Sequence, residues 1–401
     1  MNFSVFQRAG ALLLSGALLC GAAPALAAQA DGTVTRGEFT SQLWIQAGSP
    51  AVQTAAPFTD IQADEANYAA ILWAAEADVV NGNGMGSFFS DDALTREQLA
   101  VMLYQYAQAN GDGMILTTDL SGCSDWASVS PWAETALSWA VAKGYLTAED
   151  GLLDPQGTVS VQESQRILDR YDEMAPHNHS LGLTGVVNGR QLGGYLTADG
   201  RRVKDNVLLR TGKMSGATED DVQALAETYH VTQIVDFRSA SEFTQDPDPE
   251  LPGCVNTNLP VISEEELAGA MTAEDMANMN EMVKVIYNSF ATSEQAISAY
   301  TQFFDLLLNH KDGAILWHCT AGQDRAGVAA YLLLVALGVD EDTARQDYLT
   351  SIDFAGSVQP EWLDTFLAAV QEHYGDVHGY LTQALGLTEA ELAQLQDMYL
   401  E

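Results

Sequence analysis

The chain has 401 residues, with 17 basic against 55 acidic side chains and a formal net charge of −38. A chain this acidic stays soluble and repels nucleic acid and anionic membrane surfaces. It also repels phosphorylated molecules at long range, so any phosphate site on it has to be positive locally.

Met1 to Ala27 reads as a signal peptide. Arg8 is its one charge, Ala9–Leu19 is its apolar core, and Ala25-Leu26-Ala27 is an A-x-A cleavage site. The apolar run is too short to span a membrane comfortably. Leu19 precedes Cys20 where a lipoprotein site requires a small residue, so lipid anchoring is not expected. The exported chain is expected to begin at Ala28 with a net charge of 16 − 55 = −39. It keeps three cysteines, Cys123, Cys254 and Cys319, which imply no disulfide framework.

Residues 31–173 carry a degenerate repeat. Thr35-Arg36-Gly37-Glu38-Phe39 returns as Thr95-Arg96-Glu97-Gln98-Leu99, and more weakly as Ser160-Val161-Gln162-Glu163-Ser164. Thr35 and Thr95 have the chemistry of helix N-caps. Gly-rich stretches such as Val80-Asn81-Gly82-Asn83-Gly84 stand between the copies. The pattern resembles three S-layer homology repeats, which implies an all-α wall-binding domain. In that family the Thr-Arg segment lines a groove for anionic secondary cell-wall polymer, which assigns Arg36 and Arg96; the third copy lacks the arginine. Five of the seven tryptophans lie here, and most are expected between the helices.

Residues 174–180 read as a linker around Pro176. His177 and His179 have no further His or Cys nearby, so they are expected as solvated linker residues and not as metal ligands.

The second domain, 181–401, is long enough for one substantial core. Val207–Gly212 and Val231–Arg238 read as strands running into polar turns, the second ending in Asp236-x-Arg238. A helical insertion rich in Met, Ala and Glu follows between Ile262 and Asn309.

Ile315-Leu316-Trp317-His318 then forms a buried strand that ends beside Cys319, and a short turn leads to Arg325. From Ala326 to Leu337 the spacing of Val328, Tyr331, Leu332 and Val335 predicts one apolar helix face, stopped by Gly338. Backbone N–H groups of such a turn can converge on an anion, and the helix N-terminus adds its positive end. The same field stabilises a thiolate, and an arginine offers two phosphate oxygens a planar fork of donors.

His318-Cys319-Thr320-Ala321-Gly322-Gln323-Asp324-Arg325 resembles the His-Cys-x5-Arg loop of protein-tyrosine phosphatases, in the bacterial branch that reads HCTAGKDRTG. Gly185–Tyr195, Leu208–Gly212, Asp236–Arg238 with Ser241 and Glu242, and Asp347-Tyr348-Leu349-Thr350 follow the same family. The resemblance implies an α/β domain with a central, mainly parallel sheet and a helical lid insertion. Padding of the sheet is the equal alternative for that insertion.

It further implies Cys319 as nucleophile, Arg325 as phosphate clamp, Thr320 to Arg325 as the phosphate cradle, and His318 as a tuner of the thiolate. No metal or organic cofactor is implied. Asp324 and Asp236 compete as general acid. Asp324 is favoured because it stands beside Arg325, and Arg238 is placed to neutralise Asp236.

Three departures stand out: Gln191 at an acidic position, Gln323 for lysine, and Ala326 for a hydroxyl residue that assists phosphoenzyme hydrolysis. The expected protein is a secreted, wall-attached phosphatase. Its substrates would be phosphorylated proteins or small phosphate esters, phosphotyrosine before phosphoinositides and inositol phosphates. The alternatives are a wall-associated protein that captures phosphate without turnover, a sulfur carrier, and a structural cysteine in a tight turn.

Overall fold

Val34, Leu94 and Val159 close a ring of backbone hydrogen bonds. The N–H of Val34 donates to the carbonyl of Val159, that of Val159 to Leu94, and that of Leu94 to Val34, each at 2.9 Å. Each of these residues precedes the N-cap of a helix, so the three repeat starts are joined as equivalent partners. The computed structural model describes residues 32–52, 57–266 and 279–401. The export segment Met1–Ala27 and the stretch 267–278 of the insertion lie outside the described residues.

The chain divides between His177 and Asn178 into two compact units. The first carries α1 (Arg36–Gln46), α2 (Tyr68–Glu76), α3 (Arg96–Ala109), α4 (Glu134–Ala142) and α5 (Val161–Met174). Thr35 and Thr95 cap α1 and α3 in capping boxes with Glu38 and Gln98, and Ser160 caps α5. Helices dominate this unit, joined by isolated bridges at Thr35–Ala93 and Thr95–Thr158. Trp73 and Trp139 lie in its core, whereas Trp132 is exposed.

The linker is not solvated as expected. A short helix, α6 (Pro176–His179), occupies it. Nδ1 of His177 lies 2.9 Å from Asp112 within the first unit. Within the second, His179 is buried and stacked on Tyr195 at 4.6 Å.

The second unit is built on a five-stranded sheet in the order β1-β2-β5-β3-β4. Its strands are β1 (Arg190–Gln191), β2 (Leu208–Thr211), β3 (Val231–Asp236), β4 (Val255–Asn258) and β5 (Ala314–His318). Only the edge pair β1–β2 is antiparallel; β2, β5, β3 and β4 run parallel. The expected strands are therefore present, in a mixed sheet. Central β5 is buried along its whole length, as parallel strands covered on both faces are.

Around the sheet lie α7 (Glu219–Gln223), α8 (Ala240–Gln245), α9 (Met279–Thr292), α10 (Glu294–Asn309), α11 (Arg325–Leu337), α12 (Glu341–Ala355), α13 (Pro360–Tyr374) and α14 (Glu389–Tyr399). Gly338 ends α11 in the left-handed region, with φ of 90°. The chain reads apolar from Ala326 to Leu337, and nearly every residue of that stretch of α11 is buried. A helix packed on the sheet and enclosed by other helices has no polar side to keep.

Candidate active site

The parallel strands end together at Thr211, His318, Asp236 and Asn258, the edge where ligands of such sheets gather. β5 delivers His318 and the buried Cys319 to this edge, and α11 starts six residues later at Arg325. Gly322 makes the turn possible. Its φ is +70°, and a Cβ there would stand 2.5 Å from the carbonyl oxygen of Thr211.

The peptide planes of the turn are set from outside. The N–H of Lys213 donates to Thr320 O at 3.0 Å. Nδ2 of Asn188 donates to Gly322 O at 2.9 Å and reaches Ala321 O at 3.4 Å. Nη2 of Arg210 donates to Gly322 O at 2.6 Å. In a trans peptide the carbonyl and the following N–H point in opposite directions. Pulling these carbonyls back therefore turns the N–H groups of Ala321, Gly322 and Gln323 the other way. Among the described residues, no backbone N–H from Thr320 to Arg325 has a partner within the protein. Six successive donors left unpaired at a helix N-terminus form an anion cradle.

Arg325 is held by Glu242 from the first turn of α8. Its Nη1 donates to Glu242 Oε2 at 2.7 Å and its Nη2 to Oε1 at 3.2 Å. Nη2 also donates to Thr320 Oγ1 at 2.8 Å, and that hydroxyl in turn donates to Glu242. Burial works against the Glu242 charge, but the hydrogen bonds and charge of Arg325 hold its carboxyl down at about 2. Burial likewise opposes the Arg325 charge, and Cys319 and Glu242 more than offset it, raising its pKa above the usual arginine value. The clamp is therefore permanently charged and fixed in direction.

Asp324 accepts a hydrogen bond from the Tyr287 hydroxyl at 2.6 Å. Asp236 is occupied elsewhere: it is fully buried and receives Nε and Nη2 of Arg238, the latter at 2.7 Å. Arg238 also donates to Asp248 at 2.8 Å, and Asp248 lies 2.9 Å from Nε2 of His318. Burial opposes ionisation of Asp248, yet its bond to His318 keeps its pKa below the usual carboxylate value. Ligand atoms of Asp236, Asp248 and His318 lie within 4.8 Å of one another, as metal ligands would. Arg238 donates to both carboxylates, so a fixed cation already sits against the cluster. On its other side, His318 presents Nδ1 to the carbonyl of Cys319 at 3.3 Å.

A second buried network stands behind the loop. Asp347 pairs with Arg190 at 3.0 Å and with Arg210 at 2.7 Å, all three fully buried, and accepts from Tyr195 at 3.0 Å. Two arginines against one carboxylate leave a net positive charge in a low-dielectric interior. Burial and the charge of Arg190 lower Arg210 to about 10, whereas a thiolate at Cys319 works to raise it.

Gln323 and Ala326 are both buried. The Gln323 side chain is buried and accepts from Ser357 at 2.9 Å. Ala326 is fully buried, and its carbonyl accepts from Trp317 Nε1 at 3.0 Å. Sequence reasoning gave no role to Glu242, Asp248, Asn188, Arg190, Arg210, Asp347 or Tyr287. Several were visible only as matching positions without a role, and Tyr287 carried no signal.

In the first unit, Arg36 and Arg96 are used in parallel ways. Nε of Arg36 donates to Phe88 O and Nη2 to Asn81 O; Nε of Arg96 donates to Leu153 O and Nη2 to Thr147 O. Each arginine thus ties a helix start to the loop before it. Arg96 also pairs with Glu163. It lines a groove of about 1110 Å³ with Arg166 and the carboxylates of Asp125, Glu149, Asp150 and Asp154. Among the described residues, no helix is long and apolar enough to cross a membrane.

Residues 181–401 match the family model described as the tyrosine phosphatase family, and residues 57–100 match the S-layer homology domain. The chain is 30% identical over 259 residues to a putative tyrosine-protein phosphatase of Cupriavidus necator, covering 55% of this chain and 89% of that protein. It is 25% identical over 229 residues to a tyrosine-protein phosphatase of Nostoc commune, covering 48% and 73%. It is also 26% identical over 298 residues to a surface-layer 125 kDa protein of Lysinibacillus sphaericus, covering 71% of this chain but 23% of that protein.

Proposed function

The chain belongs to the tyrosine phosphatase family, and from that premise we propose that it hydrolyses phosphate monoesters through a cysteinyl-phosphate intermediate. It is a phosphoric monoester hydrolase that carries an S-layer homology domain, which points to the cell surface. The observation that carries the mechanism is the run of unpaired N–H groups between Cys319 and the fixed guanidinium of Arg325.

Phosphoryl transfer needs positioning and charge stabilisation more than covalent assistance. The cradle and Arg325 hold the phosphoryl oxygens. The Cys319 thiolate attacks phosphorus, an S–P bond forms, and the P–O bond to the alcohol or phenol breaks. Asp324 gives the leaving oxygen its proton. Water then attacks the phosphocysteine and loses a proton to Asp324 as the thiolate departs. Asp236 is proposed as structural, because Arg238 covers both of its oxygens. His318 holds the Cys319 carbonyl and orients the start of the loop.

Phosphotyrosine is the preferred substrate class. Gln323 contributes no cation, and Lys213, beside the loop, is already paired with Asp246. Little free positive charge remains for a second phosphate group. Secretion through Met1–Ala27, the domain bounds 31–173 and 181–401, and attachment to wall polymer through Arg36 and Arg96 belong to the same proposal. The groove beside Arg96 holds more carboxylates than cations, so polymer anchoring has to use a limited positive surface.

The deciding experiment is rapid acid quench with an aryl phosphate, followed by intact mass measurement. One phosphate on the peptide containing Cys319, absent from Cys319→Ser, is expected. Full turnover by Cys319→Ser would exclude the covalent route.

A further inference from the structure

Asp324 stands at the end of a chain of hydroxyls that begins two helices away. The Tyr287 hydroxyl, from α9, lies 2.6 Å from Asp324 Oδ1 and 2.7 Å from the Tyr348 hydroxyl, from α12. A phenol has one proton to give. If Tyr287 donates to the carboxylate, Tyr348 must donate to Tyr287, so the direction of the chain is fixed. Tyr287 is itself immobilised. It is fully buried, its ring is 5.1 Å from Phe290 and 6.2 Å from Trp362, and Trp362 donates to Asn280 at the start of α9 at 2.7 Å.

Resting on Asp324 as the general acid, we propose that Tyr287 and Tyr348 are positioning residues that hold Oδ1 as acceptor and leave Oδ2 to carry the transferable proton. During P–O cleavage that proton passes from Oδ2 to the leaving oxygen. The carboxylate left behind remains solvated by the Tyr287 donor until water restores the proton in the second step. The insertion therefore contributes to the chemistry through α9, beyond covering or padding the sheet.

The titratable and charged groups around Asp324 are Tyr287 from α9, Tyr300 from α10, Tyr348 from α12 and its neighbour Arg325. All three phenols are buried and stay protonated across the working range, since burial first and nearby negative charge next push them well above the usual tyrosine value.

The test compares the full chain with Tyr287→Phe, Tyr348→Phe and Asp324→Asn, on an alkyl phosphate and on an aryl phosphate with a good leaving group. Phenylalanine keeps the ring packing. Tyr287→Phe is expected to lower kcat on the alkyl ester about ten-fold, part of the ~10²–10⁴-fold a general acid supplies. It should leave kcat on the aryl ester nearly unchanged, so the loss follows the leaving group. Tyr348→Phe should do the same more weakly, and it supplies the answer if Tyr287→Phe does not fold. Equal losses on both esters would overturn the relay and leave a packing role. If Asp324→Asn shows the leaving-group pattern and neither tyrosine variant does, the relay alone fails. If Asp324→Asn lacks it, the acid assignment fails and the relay with it.

Discussion

Glu242 takes both terminal nitrogens of Arg325, at 2.7 and 3.2 Å, and thereby fixes the plane of the guanidinium at the end of the phosphate loop. Its carboxyl titrates at about 2 in the fold against 4.5 as a free side chain. A depressed folded pKa gives stability that is complete above the unfolded value and is lost as pH falls through the folded one. The gap in melting temperature between the native chain and Glu242→Gln is therefore expected to be full at pH 6, to shrink below pH 4.5 and to vanish near pH 2. A gap that stays constant over that window would mean the pair does not stabilise the fold electrostatically.

Cys319→Ser should abolish turnover while vanadate binding survives, because the cradle and Arg325 remain. Arg325→Ala should weaken both. Truncating one partner of a buried charge pair costs about 2–5 kcal/mol, and here the abandoned Glu242 carboxylate would also repel the anion. Calorimetric titration with vanadate separates the two variants.

Asp236→Asn is expected to act on stability. It leaves the Arg238 guanidinium short of a buried partner, and breaking such a pair costs about 3–5 kcal/mol. Urea unfolding measures that loss. A folded Asp236→Asn protein with normal stability but no activity on alkyl phosphates would return the acid role to Asp236.

Ala326→Thr tests the missing hydroxyl. The site is fully enclosed, so the added atoms bring some packing strain. If phosphocysteine hydrolysis is slow for want of that hydroxyl, steady-state turnover rises while the burst of first product stays the same. An unchanged rate in a well-folded variant would assign the second step to other groups.

Arg36→Ala combined with Arg96→Ala should reduce co-sedimentation with purified wall polymer. Both arginines also bond loop carbonyls, so melting temperature is measured alongside. A folded double variant that sediments like the native chain would make both arginines purely structural.

The elements that local chemistry dictates were readable in advance. The caps at Thr35 and Thr95, the strand ending at His318, the turn at Gly322 and the stop at Gly338 each follow from side chains within a few residues of one another. Their positions agree with the structure. The expected solvated linker failed because His179 finds Tyr195, sixteen positions away, to stack on.

By itself the sequence determined the phosphate loop, since cysteine, glycine and arginine at that spacing already specify a strand, a tight turn and a helix start. Tertiary structure alone decided what surrounds the loop. Glu242 lies 83 positions from Arg325, Tyr287 37 from Asp324, and Arg210 112 from the Gly322 carbonyl it restrains. Such partners leave no local pattern, because each bond depends on how the sheet and helices pack. In the sequence Asp324 and Asp236 compete to give a proton, with Asp324 favoured only by its place beside Arg325. The fold separates them by setting a hydroxyl against one and a buried guanidinium against the other.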